Sequence, residues 1–549
     1  AEDADEVIIA MGSVCDTISE TVDYLNANGR KVGLVKVRLY RPFSVKHLVA
    51  AIPSTVKKIS VLDRTKEPGS IGEPLYLDVV AALRDTEFAN VPVYTGRYGL
   101  GSKDTTPAQI IAVFKNTEKK RFTIGINDDV TNLSLALDEN PDTTPAGITS
   151  CKFWGLGADG TVGANKNSVK IIGDHTDMNV QAYFDYDSKK SGGLTVSHLR
   201  FGNAKITSTY LINKADFVAC HKASYIRQYN MVEDVKPGGV FLLNCSWNAE
   251  ELEEHLPGQV KKYIADNNIQ FYTIDGVKIG KEIGLGNRIN TVLQSAFFKL
   301  SKILPEEDAI KYMKDAATAS YSKKGDAIVK MNHDAIDAGA QQIVKVEVPE
   351  SWKNAQSEDL SVKHDGEGKL IDYVLVPINQ FRGMQLPVST FEAYQTGEVP
   401  LGSSAFEKRG IAIDVPVWNN ETCIECGNCS YVCPHACIRP VILTKEELDN
   451  APEGIRYQNA MQLDGYYYAM AISVYDCTGC GSCANVCPVN NAGKKAPALV
   501  MTSFDDETAK EQEKYDYLVQ LAEKQEVLDK FKISTVKGSQ FRKPYLEFS

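Results

Sequence analysis

The chain has 549 residues, a formal net charge of −11, 43% hydrophobic and 24% charged residues, and 13 cysteines. That length implies three to five domains and excludes a small disulfide-stapled secreted module. The acidic balance argues against a nucleic-acid partner and suits a basic or weakly held redox partner, and no run of about 18 apolar residues offers a membrane span. The opening residues Ala1-Glu2-Asp3-Ala4-Asp5-Glu6 are acidic and lead directly into a strand, unlike a signal peptide. Unpaired thiols point to a reducing, cytoplasmic setting.

Residues 1–118 read as an α/β domain. A strand at 6–11 leads through Gly12-Ser13 into a helix reaching 28, then a strand at 31–38, a short helix near 46–51 and a strand at 58–62. Strands alternating with helices of this length predict a mostly parallel sheet. The polar loop at 63–73 falls at a strand's carboxyl end, where open α/β sheets bind ligands, although an ordinary surface connection reads the same way. Residues 119–147, rich in Asp, Asn and Thr, are expected to form a linker.

A second α/β domain is expected over 148–343. Its first strand runs into a glycine-rich turn containing Gly155, Gly157, Asp159, Gly160, Thr161, Gly163, Asn165 and Lys166. Gly155, Gly157 and Gly160 spell G-x-G-x-x-G. A turn of this kind entering a helix lets backbone N–H groups approach phosphate oxygens, and Lys166 at the helix start would add a charged partner. The pattern serves any phosphate-bearing ligand, and also a purely structural tight turn. Asp185 and Asp187, after a strand at 179–184, stand loosely where a dinucleotide-binding fold keeps its ribose-binding acid. Further strands are expected near 216–219, 239–243 and 269–274, and the domain closes in helices between 289 and 342.

Residues 344–414 lack a period and read as a small irregular domain or linker. The module at 415–500 carries eight cysteines in two copies of one spacing. Cys423, Cys426, Cys429 and Cys433-Pro434 form the first copy; Cys477, Cys480, Cys483 and Cys487-Pro488 form the second. Three thiolates two residues apart wrap three corners of an iron–sulfur cube, while the fourth, followed by proline, ligates the other cube in two-cluster ferredoxins. Structural zinc has no use for the third cysteine in register or the trailing Cys-Pro. Two [4Fe–4S] clusters are therefore expected, held by Cys423, Cys426, Cys429 and Cys487, and by Cys477, Cys480, Cys483 and Cys433. Cys15, Cys151, Cys220, Cys245 and Cys437 read as free packed thiols. A helix-like stretch at 444–450 and a strand-like one at 466–474 lie between the motifs. Beyond the module, 505–531 reads as a charged amphipathic helix, followed by a polar strand-like stretch to Ser549.

Several strings together resemble one family. They are Leu39-Tyr40-Arg41-Pro42-Phe43, Leu62-Asp63-Arg64-Thr65-Lys66-Glu67-Pro68-Gly69, Gly96-Arg97-Tyr98-Gly99-Leu100-Gly101-Ser102-Lys103, the turn at 155–166, Val196-Ser197-His198-Leu199-Arg200-Phe201-Gly202 and Cys433-Pro434-His435. With both cysteine motifs in order, the whole chain resembles an interior piece of the pyruvate:ferredoxin (flavodoxin) oxidoreductases, thiamine-dependent 2-oxoacid oxidoreductases.

The resemblance implies an α/β multidomain fold: a transketolase C-terminal-like domain, a second α/β domain that helps bind coenzyme A, a small irregular domain, a bacterial-type ferredoxin-like α+β module, and a connection at 501–549 toward a thiamine diphosphate domain. It implies that the N-terminal substrate domain and the thiamine diphosphate domain, with Mg2+ and a third [4Fe–4S] cluster, lie outside this piece, so that the piece alone is inactive and holds no catalytic acid or base. It further implies pyruvate oxidation in anaerobic metabolism, ferredoxin or flavodoxin as electron acceptor, the parent enzyme's other domains as partners, and a homodimer. Two other readings use the same residues: an iron–sulfur electron-transfer subunit fed by NAD(P)H at the glycine-rich turn, and a scaffold whose clusters only hold the fold.

Overall fold

The structure is a computed structural model describing residues 2–157, 159–187, 192–286, 288–360, 370–504 and 506–542. The chain divides into two compact units. One comprises 1–155, 159–186 and 194–399; the other comprises 156–158, 187–193 and 400–549.

The first unit opens with a five-stranded parallel sheet. Its strands are β1 (Glu6–Ala10), β2 (Val32–Lys36), β3 (Lys58–Asp63), β4 (Val93–Arg97) and β5 (Arg121–Thr123), in the order β2-β1-β3-β4-β5. Alternate residues of β1 face opposite ways, as the period of a strand requires. Ile8 and Ala10 pack with α1 (Val14–Ala27) and α4 (Pro107–Lys115), while Val7 and Ile9 pack with α2 (Val45–Ala51) and α3 (Pro74–Leu83). Both faces are thus covered, as a parallel sheet demands. Asp63, at the carboxyl end of β3, accepts N–H bonds from Leu75 (3.0 Å) and Tyr76 (3.1 Å) and so caps α3. Part of the stretch expected as linker is sheet: β5 lies in it, and Thr143 near its end is buried.

The second sheet of this unit has seven strands in the order β12-β11-β10-β9-β6-β8-β7. They are β6 (Ile148–Leu156), β7 (Asn179–Tyr186), β8 (Leu194–Gly202), β9 (Ala215–Cys220), β10 (Val235–Asn244), β11 (Gln270–Ile274) and β12 (Val344–Lys345). Strands β6, β9, β10 and β11 are successively parallel, while β7 runs antiparallel to β8 and β12 antiparallel to β11. Val344 and Lys345, expected in the irregular region, therefore complete this sheet. Its core is aromatic: Phe297, on the helix Asn290–Ser301, lies 5.0 Å from Phe153 and 5.3 Å from Phe217, ring centre to ring centre. The two sheets are bolted together by Glu20 of α1, 3% exposed, which accepts hydrogen bonds from Thr143 (2.6 Å), Ser208 (2.5 Å) and Tyr210 (2.6 Å). Glu20 of the first expected domain thus takes its donors from the expected linker and from the second domain, and all of these residues lie in one unit.

The second unit is built from β13 (Asp414–Trp418) paired with β17 (Leu499–Ser503), and a three-stranded sheet β14-β16-β15. The latter strands are Ile438–Leu443, Tyr467–Ile472 and Gln458–Asn459. The single amphipathic helix expected over 505–531 is instead three pieces, Asp506–Ala509, Glu511–Gln520 and Gln525–Lys530. Leu521 leaves the second piece in an extended conformation, and the sequence restarts only at Gln525. The following stretch, expected as strand, forms the helix Val536–Gln540, whose Thr535 side chain caps the Gly538 N–H; residues 543–549 lie outside the described residues. Among the described residues, no helix is long and apolar enough to cross a membrane.

Candidate iron–sulfur centre

The two cysteine loops are near copies in backbone. Gly427 (φ 76°, ψ 0°) and Gly481 (φ 72°, ψ 0°) are left-handed residues opening the short helices Asn428–Val432 and Ser482–Val486. The helices stop at Cys433 (φ −67°, ψ 115°) and Cys487 (φ −65°, ψ 119°), both extended because a proline follows.

A cavity of about 350 Å³ is lined by Cys423, Cys426 and Cys429 of the first loop and by Cys487 of the second. Cys433 is not among its walls; it lies by the second loop. Burial and then the nearby Cys433 thiolate push Cys477 up to about 12, and the same two influences raise Cys483 to about 11. Cys480 is the exposed thiol of the eight. Among the described residues no three metal-binding side chains converge on a point, as a mononuclear ion requires; here four thiols surround a volume, which suits a cube.

Backbone donors reach the sulfurs. The Glu425 N–H donates to Cys423 Sγ (3.4 Å), the Gly479 N–H to Cys477 Sγ (3.4 Å) and the Cys437 N–H to Cys433 Sγ (3.3 Å). The Cys437 thiol, with the backbone N–H groups of His435, Cys437 and Ile438, holds Cys433 down to about 6 against burial, which favours the thiolate that binds iron. Cys437, expected as a bystander, thus supports a ligand.

Glu425 was not singled out by spacing, yet it anchors the first loop. Fully buried, it accepts from Gln458 Nε2 (2.8 Å) and the Met461 N–H (3.0 Å), and pairs with Lys537 Nζ at 2.9 Å. Ser430 donates to Ile438 O (2.7 Å) and lies 2.6 Å from Gln540 Oε1. The helix Val536–Gln540 therefore clamps the loop from its far side. The one available signal was an acid between Cys423 and Cys426, where the second loop has Gly479.

The glycine-rich turn is locked by its own side chains. A Cβ on Gly155 would lie 2.5 Å from Thr161 Oγ1, so only glycine allows that approach. Gly160 is left-handed (φ 84°) and opens α5 (Thr161–His175). Asp159 Oδ1 accepts the Thr161 N–H at 2.7 Å, and Thr161 Oγ1 lies 2.6 Å from His221 Nδ1. Gly163 is exposed with open space around it. Asn165 is 4% exposed and its Nδ2 has no partner. Lys166, expected at the helix start, stands on the second turn of α5, exposed, with Nζ 5.4 Å from the Phe184 ring centre. Gly157 falls in the other unit, where its N–H donates to Gly193 O at 2.8 Å.

The dinucleotide arrangement is absent. Asp185 lies inside β7 rather than after it, and β8 separates β7 from β6, so this acid does not close a neighbouring parallel strand. Asp187 groups with the second unit.

Family comparison matches four stretches. Residues 4–110 match the core domain II of pyruvate:ferredoxin oxidoreductase, and 150–342 match the pyruvate ferredoxin/flavodoxin oxidoreductase family. Residues 357–412 match a domain of unknown function, and 419–491 a 4Fe-4S dicluster domain. The whole chain aligns with the pyruvate-flavodoxin oxidoreductase of Enterobacter agglomerans and the pyruvate:ferredoxin oxidoreductase of Moorella thermoacetica, at 51% identity to each. The chain is homologous throughout its length to the pyruvate:ferredoxin and pyruvate-flavodoxin oxidoreductases. It spans 46% of either of those relatives, and 30% of the Cryptosporidium parvum pyruvate dehydrogenase [NADP(+)], to which it is 42% identical. The dicluster match places iron–sulfur chemistry in the stretch that carries both cysteine loops.

Proposed function

We propose that the chain is an interior portion of a pyruvate:ferredoxin (flavodoxin) oxidoreductase and that its cysteine module relays electrons toward ferredoxin or flavodoxin. The parent reaction takes pyruvate, coenzyme A and two oxidised acceptors to acetyl-CoA, CO2, a proton and two singly reduced acceptors. Thiamine diphosphate with Mg2+, and a third [4Fe–4S] cluster, would belong to the parent's other domains, in a cytoplasmic homodimer. The observation that carries the reading is the cavity walled by Cys423, Cys426, Cys429 and Cys487, three thiols of one motif and the last of the other.

These four side chains would hold one [4Fe–4S] cluster, and Cys477, Cys480, Cys483 and Cys433 a second. Clusters of this type, when bound, supply one-electron carriers over a potential range of roughly −700 to +450 mV. The chain's own part is to hold each cube at four thiolates and to aim backbone N–H groups at the sulfurs. Crossing of the fourth ligand ties the loops together and keeps the two sites close neighbours.

The test is a ligand swap read by electron paramagnetic resonance on anaerobically reconstituted protein. Cys487→Ser is expected to perturb the cluster of Cys423, Cys426 and Cys429, and Cys433→Ser the other one. A Cys433→Ser spectrum matching that of Cys426→Ser overturns the cross-ligation.

The second part of the proposal is coenzyme A at the turn formed by Gly155, Gly157, Asp159, Gly160, Thr161, Gly163, Asn165 and Lys166. The unpartnered Asn165 amide and exposed Lys166 support a phosphate ligand; the Asp159 carboxylate, already on the first free N–H of α5, works against one approaching along the helix axis. Phosphate is therefore expected on the Asn165–Lys166 side. A charge-assisted contact is worth about 1.5–3 kcal/mol, so Lys166→Ala weakens coenzyme A binding roughly tenfold or more. Unchanged affinity in calorimetry removes Lys166 from the site.

A further inference from the structure

The cavity has two polar walls that the cysteines do not explain. Trp418, on β13, is 4% exposed, and Tyr468, on β16, is 1% exposed. Both line the cavity with Cys423, Cys426, Cys429 and Cys487. The indole Nε1 and the phenol oxygen are both buried without a hydrogen-bond partner. Leaving a buried donor unpaired is costly, and native proteins rarely tolerate it without cause. Two such donors on one cavity point to an acceptor inside it.

The placement is rigid. Trp418 pairs with Leu499 across β13 and β17, and its carbonyl accepts from Arg456 Nη1 at 3.1 Å. Tyr468 sits on the central strand of its sheet, opposite Ile442 on one side and Gln458 on the other. The two rings lie 5.8 Å apart, centre to centre. The remaining wall is mostly apolar, with Met470 and Leu499 among it.

We propose that Trp418 and Tyr468 donate hydrogen bonds to the sulfur atoms of the iron–sulfur cluster held by Cys423, Cys426, Cys429 and Cys487, and that they thereby raise its reduction potential. This rests on the ligand assignment proposed above. An added electron increases the negative charge on the sulfurs, and an N–H or O–H aimed at them stabilises that charge; hydrogen bonds to sulfur are among the levers that set cluster potentials. Burial acts the other way, because a low dielectric disfavours the more highly charged reduced form. The donors offset part of that penalty.

The experiment is a redox titration of the reconstituted chain, followed by electron paramagnetic resonance, for wild type, Tyr468→Phe and Trp418→Phe. Each variant removes a donor and keeps an aromatic ring. The cluster assigned to the first loop should become harder to reduce by about tenfold in its equilibrium constant, about 59 mV for a one-electron couple, while the other cluster stays unchanged. Deuterium exchange read by electron–nuclear double resonance on wild type should show exchangeable protons coupled to this cluster beyond the Glu425 N–H, of which each variant loses one. This second measurement decides the matter if Trp418→Phe fails to retain its cluster. Unchanged potential and unchanged proton couplings, with Cys487→Ser still perturbing this cluster, overturn the donor role alone. A Cys487→Ser variant that leaves the cluster's signal intact defeats the ligand assignment and the proposal together.

Discussion

The two cysteine loops share a backbone and differ in what surrounds it. Both carry a left-handed residue two positions after the first cysteine, Glu425 at φ 53° and Gly479 at φ 71°, and in both the N–H of that residue points at the first cysteine's sulfur at 3.4 Å. Glycine adopts this conformation freely, whereas a residue with a Cβ costs roughly 1–2 kcal/mol there. The first loop carries that cost because the Glu425 side chain, fully buried, gathers Gln458, Met461 and Lys537 around it. The second loop has no side chain at that position and leaves Cys480 exposed. Cysteine spacing therefore sets loop shape, while the residue two positions after the first cysteine decides which side chains anchor the loop.

The comparison is broken most severely by Glu425→Ala. Removing one member of a buried ion pair costs about 3–5 kcal/mol, and the lower end applies because the Lys537 side chain keeps 19% exposure. Denaturant unfolding followed by loss of cluster absorbance should show this destabilisation, with the first loop's cluster lost before the second's. Simultaneous loss of both would mean that the loops are not supported separately.

A smaller effect sharpens the symmetry. Gly427→Ala and Gly481→Ala place a Cβ on equivalent left-handed residues, and neither meets an atom closer than 3.5 Å. Backbone strain alone remains, so each should cost about 1–2 kcal/mol, and the two costs should agree within the error of the unfolding curves. Unequal costs would show that the loops are less alike than their dihedral angles.

Much of this was legible in the chain. Eight cysteines in two register-matched motifs named the chemistry, because a cube accepts few ligand spacings. Alternating apolar strands and helices announced the first sheet, since both of its faces are covered by nearby helices. Boundaries were less legible. Residues 119–147 looked like linker by composition, yet Arg121–Thr123 finds a sheet edge and Thr143 finds Glu20. The tail looked like one helix by period, yet it breaks after Gln520 and sends Val536–Gln540 against the first cysteine loop. Asp185 was placed after its strand because short apolar runs do not show where pairing ends.

By itself the sequence singled out the eight cysteines of the two motifs, the glycine positions that admit left-handed turns, and the similarity to the pyruvate:ferredoxin oxidoreductases. These depend on local spacing and on residue types that leave the backbone few choices. Only the tertiary structure decided that Glu425 and Lys537 meet across 112 positions, and that the Trp418 and Tyr468 rings lie 5.8 Å apart on the wall of one cavity. Such meetings bring together residues far apart along the chain, and no local preference encodes them; they arise when apolar burial closes the module and polar groups must find partners within it.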